Sequence, residues 1–274
     1  MRGFPPRPRR FERGLPRLQP FTRAEKGDVS THVIITSVWE IYESIISRLH
    51  DVVEHPGQPG FRLASGNVHE IKLSVALRPV GPSALAILVE ELARLGARVV
   101  FNFDTAMGLT PSMEIGQVLL ASAAVKSDGV SRNYMPVEIP AIADFNLLRH
   151  VQQTLDIHNI SAQTGVVWSI DTYYINDQVL ERGLRLYGRY ALAADMDTAA
   201  LYTVSMSRKL HSVSILVIEA NAAKGIERGA FLTGFSEELR RKVIENINRL
   251  SRPILEAVAL HVEKDRARVT QSML

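Results

Sequence analysis

Residues 161–174 read SAQTGVVWSIDTYY, and residues 189–201 read RYALAADMDTAAL. The first stretch is a run of β-favouring residues, Gly165 to Ser169, ending in Asp171 and the pair Tyr173-Tyr174. That ending predicts an acid and two aromatic rings at the carboxyl edge of a sheet, where open α/β sheets bind ligands. The second stretch predicts a short strand that opens through Asp195-Met196-Asp197 into a helix. Thr198, Ala199 and Ala200 fill the first turn of that helix, and an acid at its start has the polarity the helix dipole favours.

The same alternation continues on both sides. Strands are predicted at about 32–36, 98–104, 164–169 and 212–219, and a helix pattern runs from Val38 to about Val53. Ser37 and Glu40 have the spacing of a capping box. HPGQPG at 55–60 is a turn cluster, and Gly66-Asn67 between two β-favouring runs predicts a hairpin. Residues 81–97, GPSALAILVEELARLGA, predict a helix with Pro82 in its first turn and Gly96 as its stop. A long helix is expected from Ser236 to about Val262, interrupted at Pro253. Short apolar strands alternating with amphipathic helices predict an α/β fold.

A hydrophobic content of 46% with 22% charged residues supplies a sizeable core and argues against a disordered chain. No apolar run approaches the roughly 18 residues of a membrane span. The Arg- and Pro-rich start lacks an apolar h-region, so no signal peptide is expected. The absence of cysteine excludes disulfides and thiolate metal sites and fits a cytoplasmic protein. The histidines show no ligand spacing, so neither a metal nor a cofactor is expected. Residues 1–26 form a basic arm, with Arg2, Arg7, Arg9, Arg10, Arg13, Arg17, Arg23 and Lys26 against Glu12 and Glu25. Such an arm would neutralise nucleic-acid phosphates, but no aromatic interleaving accompanies it. A solvated leader, or packing on a neighbouring subunit, is the preferred reading. Residues 27–274 are assigned to the folded domain.

TGVVWSIDTYY and ADMDTAAL resemble two signature segments of the nucleoside phosphorylase family, which includes purine nucleoside phosphorylase and uridine phosphorylase. The block EIGQVLLASAAVKSDGVSRNYMPVEIPAIADFNLL at 114–148 resembles a third, with Gly116, Asp128, Gly129, Ser131, Tyr134, Pro140, Ala141 and Asp144 at the family's positions. The resemblance covers roughly residues 20–262. It implies a single-domain three-layer α/β/α fold with a mixed central sheet, a nucleoside ligand, a role in purine salvage, and a homo-oligomer, either a dimer or a hexamer. It assigns Tyr173 to stacking on the base, Met196 to packing on the ribose and Asp197 to holding the ribose hydroxyls. The family histidine donated to a neighbouring site is here Phe21, and Gln178 and Arg182 match in type, not in spacing, the residues that read uracil.

Elsewhere the chain departs from that pattern. The family's G-D-P-x-R phosphate loop is replaced by Thr36-Ser37-Val38-Trp39-Glu40-Ile41. The strand arginine that holds phosphate is Asn102, a glycine beside it is Asp104, and Thr105 alone keeps its type. Arg78 and Val80 replace two glycines ahead of the 81–97 helix, and Arg78 is a candidate to restore positive charge near Thr105. The family's general acid, an aspartate on the last strand, falls at Ala220. Glu219 is one residue early and points to the other strand face, unless a local bulge turns it inward. Glu219 and Asp171 are therefore the candidate catalytic acids. Three functions remain open: phosphorolysis with a degraded phosphate site, hydrolytic nucleosidase activity, or nucleoside binding and assembly without catalysis.

Overall fold

The structure is a computed structural model that describes residues 18–233 and 236–272. The strands are β1 (His32–Thr36), β2 (His50–Pro56), β3 (Arg62–Val68), β4 (Ile71–Leu77), β5 (Val99–Gly108), β6 (Val118–Ser127), β7 (Ala141–Ile142), β8 (Ala162–Ile170), β9 (Ala191–Asp195) and β10 (His211–Asn221). The α-helices are α1 (Trp39–Ile46), α2 (Pro82–Leu95), α3 (Ser131–Tyr134), α4 (Phe145–Ile157), α5 (Asp177–Tyr187), α6 (Thr198–Ser207) and α7 (Glu237–Ser272).

One mixed sheet takes the order β10-β6-β8-β9-β5-β1-β4-β3-β2. β10 also pairs in parallel with β5, so β5, β10, β6, β8 and β9 close into a ring at one end of the sheet. Side chains alternate across a strand, and β1 shows the result directly. Ile34 joins a core with α1, α4 and α7, while Val33 and Ile35 join a second core with α2 and α6. The sheet is thus covered by helices on both faces, and both layers draw on the buried residues of β1, β5 and β10.

Several local expectations change. The helix at 38–53 ends at Ile46, and His50–Pro56 forms an edge strand paired with β3. Its Val52-Val53 pair suits extended backbone. Ser37 does not cap α1; its hydroxyl donates to Asp104 instead. Gly66-Asn67 is not a hairpin turn but lies inside β3, and the chain reverses after Val68, where His69 takes φ 52°. Glycine is needed at 66 for close approach, because a Cβ there would sit 2.9 Å from the His50 carbonyl oxygen. The C-terminal helix runs through Pro253 without a break, at the cost of one main-chain hydrogen bond.

Of the basic arm, residues 1–17 lie outside the described residues. Its last part is tied to the body, since the amides of Phe21 and Thr22 donate to Glu91 on α2. No helix among the described residues is long and apolar enough to cross a membrane.

Candidate active site

The carboxyl ends of β1, β5, β9 and β10 converge on a cavity of about 260 Å³, walled by Ser37, Asp104, Thr105, Tyr173, Met196, Asp197, Glu219 and Arg228, with Trp39, Phe231 and others. Five of the seven side chains singled out from the sequence (Thr105, Tyr173, Met196, Asp197 and Glu219) therefore face one space. At Tyr173 and Arg228 it adjoins a larger cavity of about 660 Å³.

Glu219 owes its position to a bulge. Ile218 pairs with Ala106 and Ala220 with Met107, so Glu219 is an extra residue with no partner in β5. An unpaired residue of this kind redirects its side chain. Glu219 enters the cavity wall while Ala220 packs in a small core beside Met107. The Gly229 amide donates to its Oε2 at 3.0 Å. Burial pushes its carboxyl up to about 7, against the opposing effects of that amide and of Arg228. A carboxyl that is half-protonated at neutral pH suits a general acid.

Arg78 and Asp171 are placed otherwise than the sequence suggested. The Arg78 side chain is fully buried, with Nη2 3.2 Å from Asp104 Oδ2 and 3.0 Å from Asp197 Oδ2. Its charge is shared between two carboxylates, and it is not among the residues lining the cavity. Asp171 is exposed, and its Oδ2 accepts the Gly129 amide at 2.8 Å, holding the loop after β6. It too stands outside the cavity wall.

Asp104 shows how the region around Thr105 is filled. Its carboxylate accepts the Ser37 amide and hydroxyl, the Thr105 amide and the Arg78 guanidinium, all between 2.9 and 3.2 Å. These occupy the roughly four acceptor positions of a carboxylate. Burial raises its carboxyl to about 6, opposed by Arg78 and reinforced by Asp197. Asn102, two residues before Asp104 on β5, is buried in the sheet and donates to Ser214.

The two acids of Asp195-Met196-Asp197 divide their work. Asp195 accepts the Ser169 hydroxyl and the Thr198 amide, and so fixes the start of α6. Asp197 turns to the cavity. Its Oδ1 is buried and accepts no hydrogen bond among the described residues, which leaves it open to a hydroxyl donor.

Arg228 escaped the sequence reading. It lies in the segment between β10 and α7, its guanidinium 5.7 Å from the Tyr173 ring centroid and its Nη2 donating to the Ala194 carbonyl. The signal was the pair of glycines around it. Gly229 takes φ +73°, and a Cβ there would come 2.8 Å from the Tyr173 hydroxyl. Burial pushes that hydroxyl up to about 12, with Glu219 adding to the rise. Gln178 and Arg182 are exposed on α5.

Residues 31–258 match the family model described as Phosphorylase superfamily. The guanosine phosphorylase of Halorubrum lacusprofundi is 25% identical over 241 residues, covering 88% of this chain and 98% of its own. The uridine phosphorylase of Treponema pallidum is 27% identical over 175 residues, covering 60% of this chain and 68% of its own. Among solved structures, a uridine phosphorylase from Vibrio fischeri superposes with TM-score 0.76 at 25% identity, covering 88% of this chain and 97% of that one. A purine nucleoside phosphorylase from Toxoplasma gondii, in complex with immucillin-H, gives TM-score 0.80 at 22% identity, covering 90% and 98%. At that identity the last likeness speaks for the fold alone.

Proposed function

Because this chain belongs to the phosphorylase superfamily, we propose that its cavity binds a nucleoside and breaks the N-glycosidic bond with water, not phosphate, as the acceptor. In this reading the Tyr173 ring stacks on the base, Met196 packs on the ribose, and Asp197 Oδ1 accepts a ribose hydroxyl. Glu219 gives its proton to the departing base as the bond to the anomeric carbon breaks; a water molecule then adds its oxygen there, and the proton it loses returns to the Glu219 carboxylate.

The observation that carries the choice of acceptor is Asp104. Where the family uses loop amides and an arginine to hold phosphate, the Ser37 amide and the Arg78 guanidinium are already engaged by this internal carboxylate. Arg78 with Asp104 and Asp197 makes one positive charge against two negative ones when both acids are ionised. A phosphate dianion near Thr105 would meet repulsion and few free donors. The competing reading is phosphorolysis, favoured by relatives that are guanosine and uridine phosphorylases and by the positive charge of Arg228 on the cavity wall.

Incubating the protein with inosine, guanosine, adenosine and uridine, with and without phosphate, separates the two. Base release followed by chromatography is expected to be unaffected by phosphate. Phosphate-dependent turnover at about 1 per second or faster, an ordinary enzyme rate, would overturn the hydrolytic reading. Binding without release in either condition would mean that the fold serves as a nucleoside-binding subunit.

Replacing the ring tests the nucleoside pose separately. Stacking of a base on an aromatic side chain is worth about 1–3 kcal/mol, so Tyr173→Ala should weaken nucleoside affinity roughly 5- to 150-fold in calorimetry. Tyr173→Phe, which keeps the ring, should bind nearly as well as the unmutated protein. Equal affinity of all three forms would remove the stacking role.

A further inference from the structure

At the other end of β1 from the cavity, three potential metal ligands meet. His32 opens β1, and His261 and Asp265 lie one turn apart on α7. His32 Nε2 is 3.7 Å from Asp265 Oδ2, and His261 Nε2 is 3.6 Å from the same oxygen. One donor atom from each residue lies within 4.8 Å of the other two. Zinc binds imidazole nitrogen and carboxylate oxygen at about 2.0–2.2 Å in a tetrahedron. Neighbouring ligand atoms of such a tetrahedron are roughly 3.4 Å apart, close to the two separations seen.

The surroundings of the three donors also have the form of a metal centre. The second nitrogen of each histidine faces a protein group, as ligating imidazoles usually require. His32 Nδ1 is 3.0 Å from Thr31 Oγ1, and His261 Nδ1 is 3.3 Å from His150 Nδ1 on α4. In both rings it is therefore Nε2 that turns to Asp265. His32, His150 and His261 are nearly buried, and the edge of Phe101 closes one side of His261. Asp265 is partly exposed and offers the entry path.

We infer that His32, His261 and Asp265 form a site for a divalent transition metal of the zinc class, with a water or hydroxide completing four ligands. The site is distinct from the nucleoside cavity. It stands at the amino end of β1, about 16 Å along the strand from Ser37 at roughly 3.3 Å per residue. Its role is structural, because the metal would clamp α7 onto β1 and, through the His150–His261 contact, onto α4. The histidines escape a spacing search because His32 and His261 lie near opposite ends of the chain.

The test uses the full chain without an affinity tag, stripped with a chelator and then titrated with Zn²⁺ and, separately, Co²⁺. One equivalent of metal per chain is expected, with the intense visible absorption of four-coordinate Co²⁺. Zinc at about a hundredfold over Kd should raise the melting temperature by roughly 5–10 °C. Asp265→Asn should weaken binding by more than the roughly 10- to 100-fold that loss of an outer partner costs, and His150→Ala by about that amount. Asp265→Asn alters a partly exposed side chain, so it carries the test even if variants at His32 or His261 fail to fold. Absence of stoichiometric binding, six-coordinate cobalt spectra, or unchanged affinity in Asp265→Asn would each overturn the site.

Discussion

Glu219→Gln should lower base release by roughly 100- to 10,000-fold, the usual contribution of a positioned general acid, while leaving nucleoside affinity nearly intact. The amide keeps the shape of the side chain and an acceptor for the Gly229 amide, but it has no proton to give to the leaving base. In the unmutated protein the acid must be protonated to act, so the rate should fall about tenfold per pH unit above its value of about 7. Glu219→Gln should lack that descending limb. A variant retaining both the rate and the pH profile would show that the departing base takes its proton from elsewhere.

The same carboxyl makes a stability prediction with a definite sign. Between the ordinary glutamate value and about 7, folded Glu219 holds a proton that the unfolded chain has released. Stability therefore falls as pH rises through that window. Glu219→Gln cannot ionise, so it should gain on the unmutated protein at pH 8 relative to pH 5. Denaturation midpoints at the two pH values measure the difference.

Removing Arg78 should have the largest effect on folding. Arg78→Ala leaves Asp104 and Asp197 buried without their shared cation, and breaking a buried ion pair from one side typically costs about 3–5 kcal/mol. Asp104, whose carboxyl burial already raises to about 6 against the effect of Arg78, would then resist ionisation more strongly. Because the folded chain would hold the Asp104 proton to higher pH than the unfolded chain, the loss should be smaller at pH 5 than at pH 8. Adding Asp104→Asn should recover part of the loss, since the groups act as one network and their effects are not additive. Urea denaturation of the single and double variants would reveal the coupling. An Arg78→Ala protein as stable as the unmutated one at pH 8 would mean that the triad does not hold the site together.

The sequence resolved unevenly into structure. Residues 161–174 and 189–201 were legible because each carries its meaning locally: a β-favouring run, an aromatic pair, and small residues opening a helix. α2 was legible for the same reason, with Pro82 at its start and Gly96 at φ 105° at its end. Ser37 and Gly66 were misread because each has two uses. The spacing of Ser37 suits a helix cap, but Asp104 competes for its hydroxyl. Gly66 suits a turn, but the His50 carbonyl needs the space a side chain would fill.

By itself the sequence determined the alternating α/β architecture and the strands β1, β5, β8 and β10, while the grouping of Tyr173, Met196 and Asp197 came from the resemblance to the family. Periodicity and short motifs record which face each side chain takes within its own element. Tertiary structure alone decided that Glu219 reaches the cavity and that Arg78 does not. The bulge is an offset between β10 and β5, whose partners are more than a hundred residues apart. The state of Arg78 depends on two carboxylates brought in from β5 and from the end of β9. A buried charge takes its chemistry from what surrounds it, and those neighbours meet only when the sheet has formed.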